Sequence, residues 1–212
     1  MPAARAWTAA AMLHNRATPS VRAPAMTDTP APPVSEDAPA LYRLLAQDAP
    51  AGSALTTLHI GGSHTTLASG EAGSAPLLQR TLDMGARVTA ATRFAQDTPR
   101  SDELQAAVEA ALALFAPLRE RLAPGSTLYT ADTGVRRIAL AAGLPAQPEM
   151  ELALADVEAL FERLLGHRPP EGGDDAPQLP PEGRFAAALA ILRACLLGLG
   201  FERICIRSEA LA

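Results

Sequence analysis

The chain contains no lysine, and each of its 18 cationic residues is an arginine. A Walker-type phosphate loop needs Gly-Lys-Ser/Thr and is therefore excluded, as is Schiff-base chemistry on a lysine. Aromatics make up 4% of a chain that is 48% apolar, so alanine and leucine must fill most of the core. Acids outnumber arginines, 23 to 18, and the net charge is −5. The first 25 residues carry Arg5, Arg16 and Arg22 and no acid, which leaves the body more acidic than the whole. An acidic body without a basic stripe argues against nucleic-acid binding, though not against a small anion site. The two cysteines, Cys195 and Cys205, sit in apolar runs and read as buried free thiols of a reducing, cytoplasmic compartment. No apolar run reaches the ~20 residues of a membrane span. The richest stretch, 185–199, is interrupted by Arg193.

Residues 1–38 are rich in Ala and Pro and read as a disordered tail, with Met26 a plausible alternative start. A folded domain is expected over 39–212. A short helix over 41–46 is followed by strands over 54–60, 65–69 and 76–82, separated by Gly-rich turns. That spacing predicts an antiparallel meander. The period then changes. Leu104, Val108, Ala111, Phe115, Leu118 and Leu122 recur at helical spacing, with Thr98-Pro99 as start signal and Pro117 as a kink. A strand over 127–130 and helices over 135–142, 154–165 and 185–199 lead to a final strand over 202–207. Gly198 and Gly200 close the last helix, whose apolar residues face both ways, as in a buried helix. The expected fold is α/β: a mixed five-stranded sheet, three strands antiparallel and then parallel ones, with helices on both faces.

The polar residues that could do chemistry gather at turns. His59-Ile60-Gly61-Gly62-Ser63-His64-Thr65-Thr66-Leu67 makes a Gly-containing hairpin, and Ala131-Asp132-Thr133-Gly134-Val135 a turn into a helix that continues Arg136-Arg137. Small turns and helix N-termini present N–H groups to anions. Asp132 reads as the N-cap of that helix, or as a replacement for a carboxylate lost from the neighbouring turn. His59 and His64 flank the hairpin turn, but two histidines without a third ligand do not define a metal site. His167 follows a helix end, where a positive charge is favourable.

The order of these segments resembles the second half of the Ppx/GppA module (exopolyphosphatase/guanosine pentaphosphate phosphohydrolase). The hairpin stands where that family has D-I-G-G-G-S-T-E-L. Leu82-Asp83-Met84-Gly85-Ala86-Arg87-Val88 with Thr92-Arg93-Phe94, Pro99-Arg100-Ser101-Asp102-Glu103-Leu104, the Asp132 turn in place of G-T-G-G-T, the helix over 152–165 and Leu199-Gly200-Phe201-Glu202-Arg203-Ile204 follow in the family's order. The resemblance covers about residues 54–212. It implies an actin-like (RNase H-like) ATPase subdomain and a relation to polyphosphate and guanosine pentaphosphate hydrolysis.

It also marks what has gone. The family's hairpin Asp and Glu are His59 and Thr66 here, its third hairpin glycine is Ser63, and the second turn keeps only Gly134. The C-terminal S-D-G-G-L-R-E-G is Arg207-Ser208-Glu209-Ala210-Leu211-Ala212, and the half bearing the catalytic glutamate has no counterpart. The expectation is a pseudoenzyme, inactive alone, with no cofactor unless retained activity calls for Mg²⁺, and with no catalytic residue assigned. Its role would be regulation or protein contact. The alternatives are half of a split phosphohydrolase completed by a partner chain, or a residual binder of polyphosphate or guanosine nucleotide. Residual phosphate contacts would come from Gly61, Gly62, Ser63, Thr65, Asp132, Thr133, Gly134 and Arg136. A homodimer, or a protein carrying the missing half, is the expected partner.

Overall fold

The computed structural model describes residues 37–47, 49–166 and 182–207. Of the tail expected over 1–38, the first 36 residues lie outside them, as do His167 and the terminal stretch 208–212, while the last two tail positions already belong to the first helix. The elements run α1 (Asp37–Gln47), β1 (Ala54–Ile60), β2 (Thr65–Glu71), β3 (Leu78–Leu82), α2 (Ala86–Arg93), α3 (Ser101–Phe115), a 3-10 stretch (Ala116–Arg121), β4 (Thr127–Thr130), α4 (Thr133–Ala141), β5 (Glu149–Ala153), α5 (Leu154–Leu164), α6 (Gly183–Leu199) and β6 (Arg203–Arg207).

The strands form one sheet in the order β3-β2-β1-β4-β6-β5. The meander is antiparallel, with His59 opposite Thr66 and Thr65 opposite Leu82. β1–β4 and β4–β6 are parallel. The sheet has six strands rather than five. The missed one is β5, antiparallel to β6 at the edge. Glu149 and Glu151 point outward and Met150 and Leu152 into the core, a strand's period of two. It is short and runs straight into α5, so its apolar residues merge with the helical stripe. α2 was likewise absent from the helical periodicity, because only Ala86 and Thr89 of its eight residues are buried.

The two faces of the sheet are covered unequally. α2 to α6 pack on one face, around Leu58, Leu67, Leu128, Ile204 and Ile206. α6 lies at the centre of that layer and is buried along almost its whole length. Arg193, which interrupts its apolar run, pairs with Glu158 at 2.9 Å and lies 4.7 Å from the centre of the Phe161 ring. Gly198 does not end the helix. An added Cβ there would meet Phe115 Cβ at 3.0 Å, so the glycine lets α6 approach α3 closely. The helix ends instead at Gly200, in the left-handed region. α3 begins after Pro99, with Arg100 at the N-cap and its N–H donated to the Glu103 carboxylate at 2.9 Å. Pro117 falls in the 3-10 stretch, where the expected distortion appears.

The other face carries α1 over β1 and β2, centred on Tyr42, Leu55, Ala68 and Ala72. The Tyr42 hydroxyl donates to the Glu71 carbonyl at 3.0 Å, and burial raises its pKa. Farther along this face Arg207 lies over the Tyr129 ring beside Cys205. Both cysteines are free, but only Cys195 is fully buried. Burial pushes the Cys195 thiol far up, and that of Cys205 up as well. A thiol reagent at neutral pH is therefore expected to label Cys205 first and Cys195 only on unfolding, as read by mass spectrometry in native buffer and in denaturant. Among the described residues, no helix is long and apolar enough to cross a membrane.

Candidate functional site

The candidate site lies at the carboxyl ends of β1 and β4, where parallel neighbours diverge into separate turns. Ligands of open α/β sheets bind in such crevices. The hairpin turn between β1 and β2 is fastened from behind. The N–H groups of Ala86 and Arg87 at the start of α2 donate to the carbonyls of Gly61 and Gly62, each at 2.9 Å. Thr65 is fully buried beneath the turn, and its hydroxyl donates to the Met84 carbonyl at 2.6 Å. That hydroxyl therefore holds the hairpin to the loop before α2. Gly61 N–H is also spent, on the His64 carbonyl at 2.9 Å. The N–H groups of Gly62 and Ser63 have no acceptor among the described residues. The Ser63 hydroxyl accepts from Arg87 at 2.7 Å.

The second turn meets the first through Asp132. This residue stands at the N-cap of α4, yet its carboxylate makes no capping bond there. It crosses to β1 instead. One oxygen pairs with the Nδ1 of His59, and the other accepts the Ile60 N–H at 2.6 Å. The reason is geometric: β4 ends beside β1, so a carboxylate at this position reaches the end of β1. The sequence offers Asp132 as an N-cap, as a stand-in for the lost carboxylate or as a phosphate contact, but not its pairing with His59, for which the signal was the joint presence of a His and an Asp at two facing turns. His64 points elsewhere, to Asp83 at 3.2 Å on the exposed surface. No group of three His, Cys, Asp or Glu residues suited to a metal occurs among the described residues.

Between the turns lies a cleft of about 240 Å³, lined by Ile60, Gly61, Gly62, Ala86, Thr133, Gly134, Arg137, Glu182, Arg184, Phe185 and Ala188. Four of the eight expected phosphate contacts, Gly61, Gly62, Thr133 and Gly134, line it together. Thr65 and Asp132 sit beneath and beside it as braces. Arg136 is not among the lining residues. It is half-buried, and its Nη1 has no hydrogen-bond partner. The cationic groups on the cleft are Arg137 and Arg184. One turn of helix carries both Arg136 and Arg137; the sequence pointed to Arg136, and the rotation of α4 puts Arg137 on the cleft instead. Arg137 faces Glu182 across the cleft at 3.4 Å, both side chains about half exposed. Glu182 itself was missed, because it follows a Pro-rich loop that carries no pattern.

The sheet, its layers and the two facing turns define an α/β half-domain with a polar cleft at the strand ends. No family model matches the chain, and no curated protein matches it by sequence. Solved structures do. A Ppx/GppA family member from Aquifex aeolicus superposes with a TM-score of 0.66 at 16% identity, over 81% of this chain and 57% of that one. An exopolyphosphatase from Cytophaga hutchinsonii gives 0.59 at 16% identity, over 79% and 57%. An exopolyphosphatase-like protein gives 0.55 at 17%, over 83% and 63%. The fold is thus the one the resemblance implies, an actin-like half-domain, and the chain spans a little over half the length of these structures.

Proposed function

We propose that the domain binds phosphate-chain anions such as polyphosphate in the cleft between the two turns, and does not hydrolyse them by itself. The observation that carries this reading is the convergence of Gly61-Gly62 and Thr133-Gly134 on one cleft with Arg137 on its wall. Free N–H groups at the hairpin, the N-terminus of α4 and a guanidinium all favour the same charge. The shared fold with exopolyphosphatases supports a phosphate chain as ligand. The loss of hydrolysis is inferred from His59 and Thr66 at positions where the resemblance implies carboxylates. A regulatory role, in which bound polyphosphate or guanosine nucleotide is sensed rather than consumed, follows from binding without turnover. The partial coverage of the neighbours favours a second reading, a phosphohydrolase completed by a partner chain.

Titrating the full chain with fluorescently labelled polyphosphate at low salt tests the first reading. Binding is expected to weaken as salt rises, and Arg137→Ala to weaken it by ~10-fold or more, the worth of a charge-assisted hydrogen bond. No binding at low salt overturns the proposal, and released phosphate overturns its non-hydrolytic part. Glu182 supplies an opposite prediction. Its carboxylate occupies Arg137 in the resting protein, so a bound phosphate must displace it. Glu182→Gln is expected to tighten binding by ~3-fold in the same titration, since an exposed pair is worth about 0–1 kcal/mol.

A further inference from the structure

We infer that the cleft takes its phosphate without a divalent cation, the reverse of what the fold implies for Mg²⁺. This rests on the reading that the cleft binds phosphate. Mg²⁺ demands near-octahedral oxygen donors and is usually anchored by one or two carboxylates. At the end of β1, where the resemblance implies an aspartate, stands His59, and imidazole is a poor partner for so hard a cation.

The remaining carboxylates do not make good the loss. Asp132 is 8% exposed and engaged at both oxygens, one by His59 Nδ1 and one by Ile60 N–H at 2.6 Å. Freeing either oxygen for a metal would strip the part-buried Ile60 N–H of its acceptor or break the contact with His59. Glu182 lines the cleft and pairs with Arg137 at 3.4 Å, both side chains about half exposed; once phosphate displaces it, a single solvated carboxylate is what the lining offers. Thr66, at the position of the hairpin glutamate, is 3% exposed with an unpartnered hydroxyl, and is not among the cleft's lining residues. The charge on a phosphate is met instead by Arg137 and Arg184 on the wall and by the N–H groups of Gly62 and Ser63. Replacing a carboxylate by His59 also removes a negative charge that a metal-free site would otherwise hold against its ligand.

Calorimetric titration of the full chain with inorganic phosphate, once in EDTA and once in excess MgCl₂ at matched ionic strength, tests the inference. The dissociation constants are expected to agree within ~2-fold, a difference too small to signal a bound metal. His59→Asp, which restores the carboxylate on a partly exposed side chain, is expected to bind more tightly with Mg²⁺ than without. A wild type that already behaves this way, or that binds only with Mg²⁺, overturns the inference and leaves the phosphate reading standing. Absence of binding in both buffers overturns that reading, and the inference with it.

Discussion

Gly85→Ala is expected to cost the fold ~3 kcal/mol or more, and to lower the melting temperature by roughly 10 °C in a thermal scan. A Cβ at this position would lie 2.5 Å from the carbonyl carbon of Ser63 and 2.6 Å from the backbone nitrogens of Ser63 and His64. These are backbone atoms of a turn already fixed by the bonds from Ala86 and Arg87 to Gly61 and Gly62. Nothing at the end of a flexible side chain can swing away, so either the hairpin or α2 must shift. Both move the cleft, and phosphate binding should fall with stability. Gly134→Ala is the control on the same cleft. A Cβ there meets nothing within 4 Å, so stability should change by less than ~0.5 kcal/mol, as for a surface site. Equal melting temperatures for the two variants would show that the hairpin is not seated as described.

Asp132→Ala is the second large effect. Removal of the carboxylate leaves the Ile60 N–H, a part-buried donor, without its 2.6 Å acceptor, and takes one partner from His59. A donor stranded in the interior costs ~1–3 kcal/mol and a part-buried one less, while bonds to a charged group stand at the upper end of the range. A loss of about 2–4 kcal/mol is expected in urea unfolding, by the same principle applied to two bonds. Asp132→Asn keeps an acceptor oxygen for Ile60 and should lose less than half as much. If Asp132 acted only as an N-cap of α4, Ala would cost ~1 kcal/mol and Asn almost nothing. The contrast between the two substitutions separates the cross-strand brace from the cap.

Much of the fold was legible because its signals are local. The short strands on either side of the Gly61-Gly62 turn, the helical stripe from Leu104 to Leu122 and the two-sided apolar run from Phe185 to Leu199 each declare themselves within a few turns. β5 was not legible, because five residues with two outward glutamates blend into the helix that follows. α2 was not legible because its neighbours hold it through backbone bonds to the hairpin more than through an apolar stripe.

The site divided along the same line. Gly61, Gly62, Thr133 and Gly134 line one cleft, and they could be singled out in the chain because turns that present N–H groups have a composition. Thr65 and Asp132 look like ligand contacts in the chain, and their hydrogen bonds to Met84 and to His59 and Ile60 were not legible, since these depend on which segments the sheet makes neighbours. The choice of Arg137 over Arg136, and the presence of Glu182 opposite it, depend on the rotation of α4 and on where α6 begins. Neither is written in residue spacing.

The central claim is that phosphate chains sit between the two turns, and the most direct measurement is amide chemical-shift mapping of the isotope-labelled chain as polyphosphate is added. The amides of Gly62, Ser63, Thr133 and Gly134 should move together and saturate at one ligand concentration, with those of Cys205 and Arg207 on the far face unmoved. Shifts confined to the far face, or none at low salt, would contradict the account.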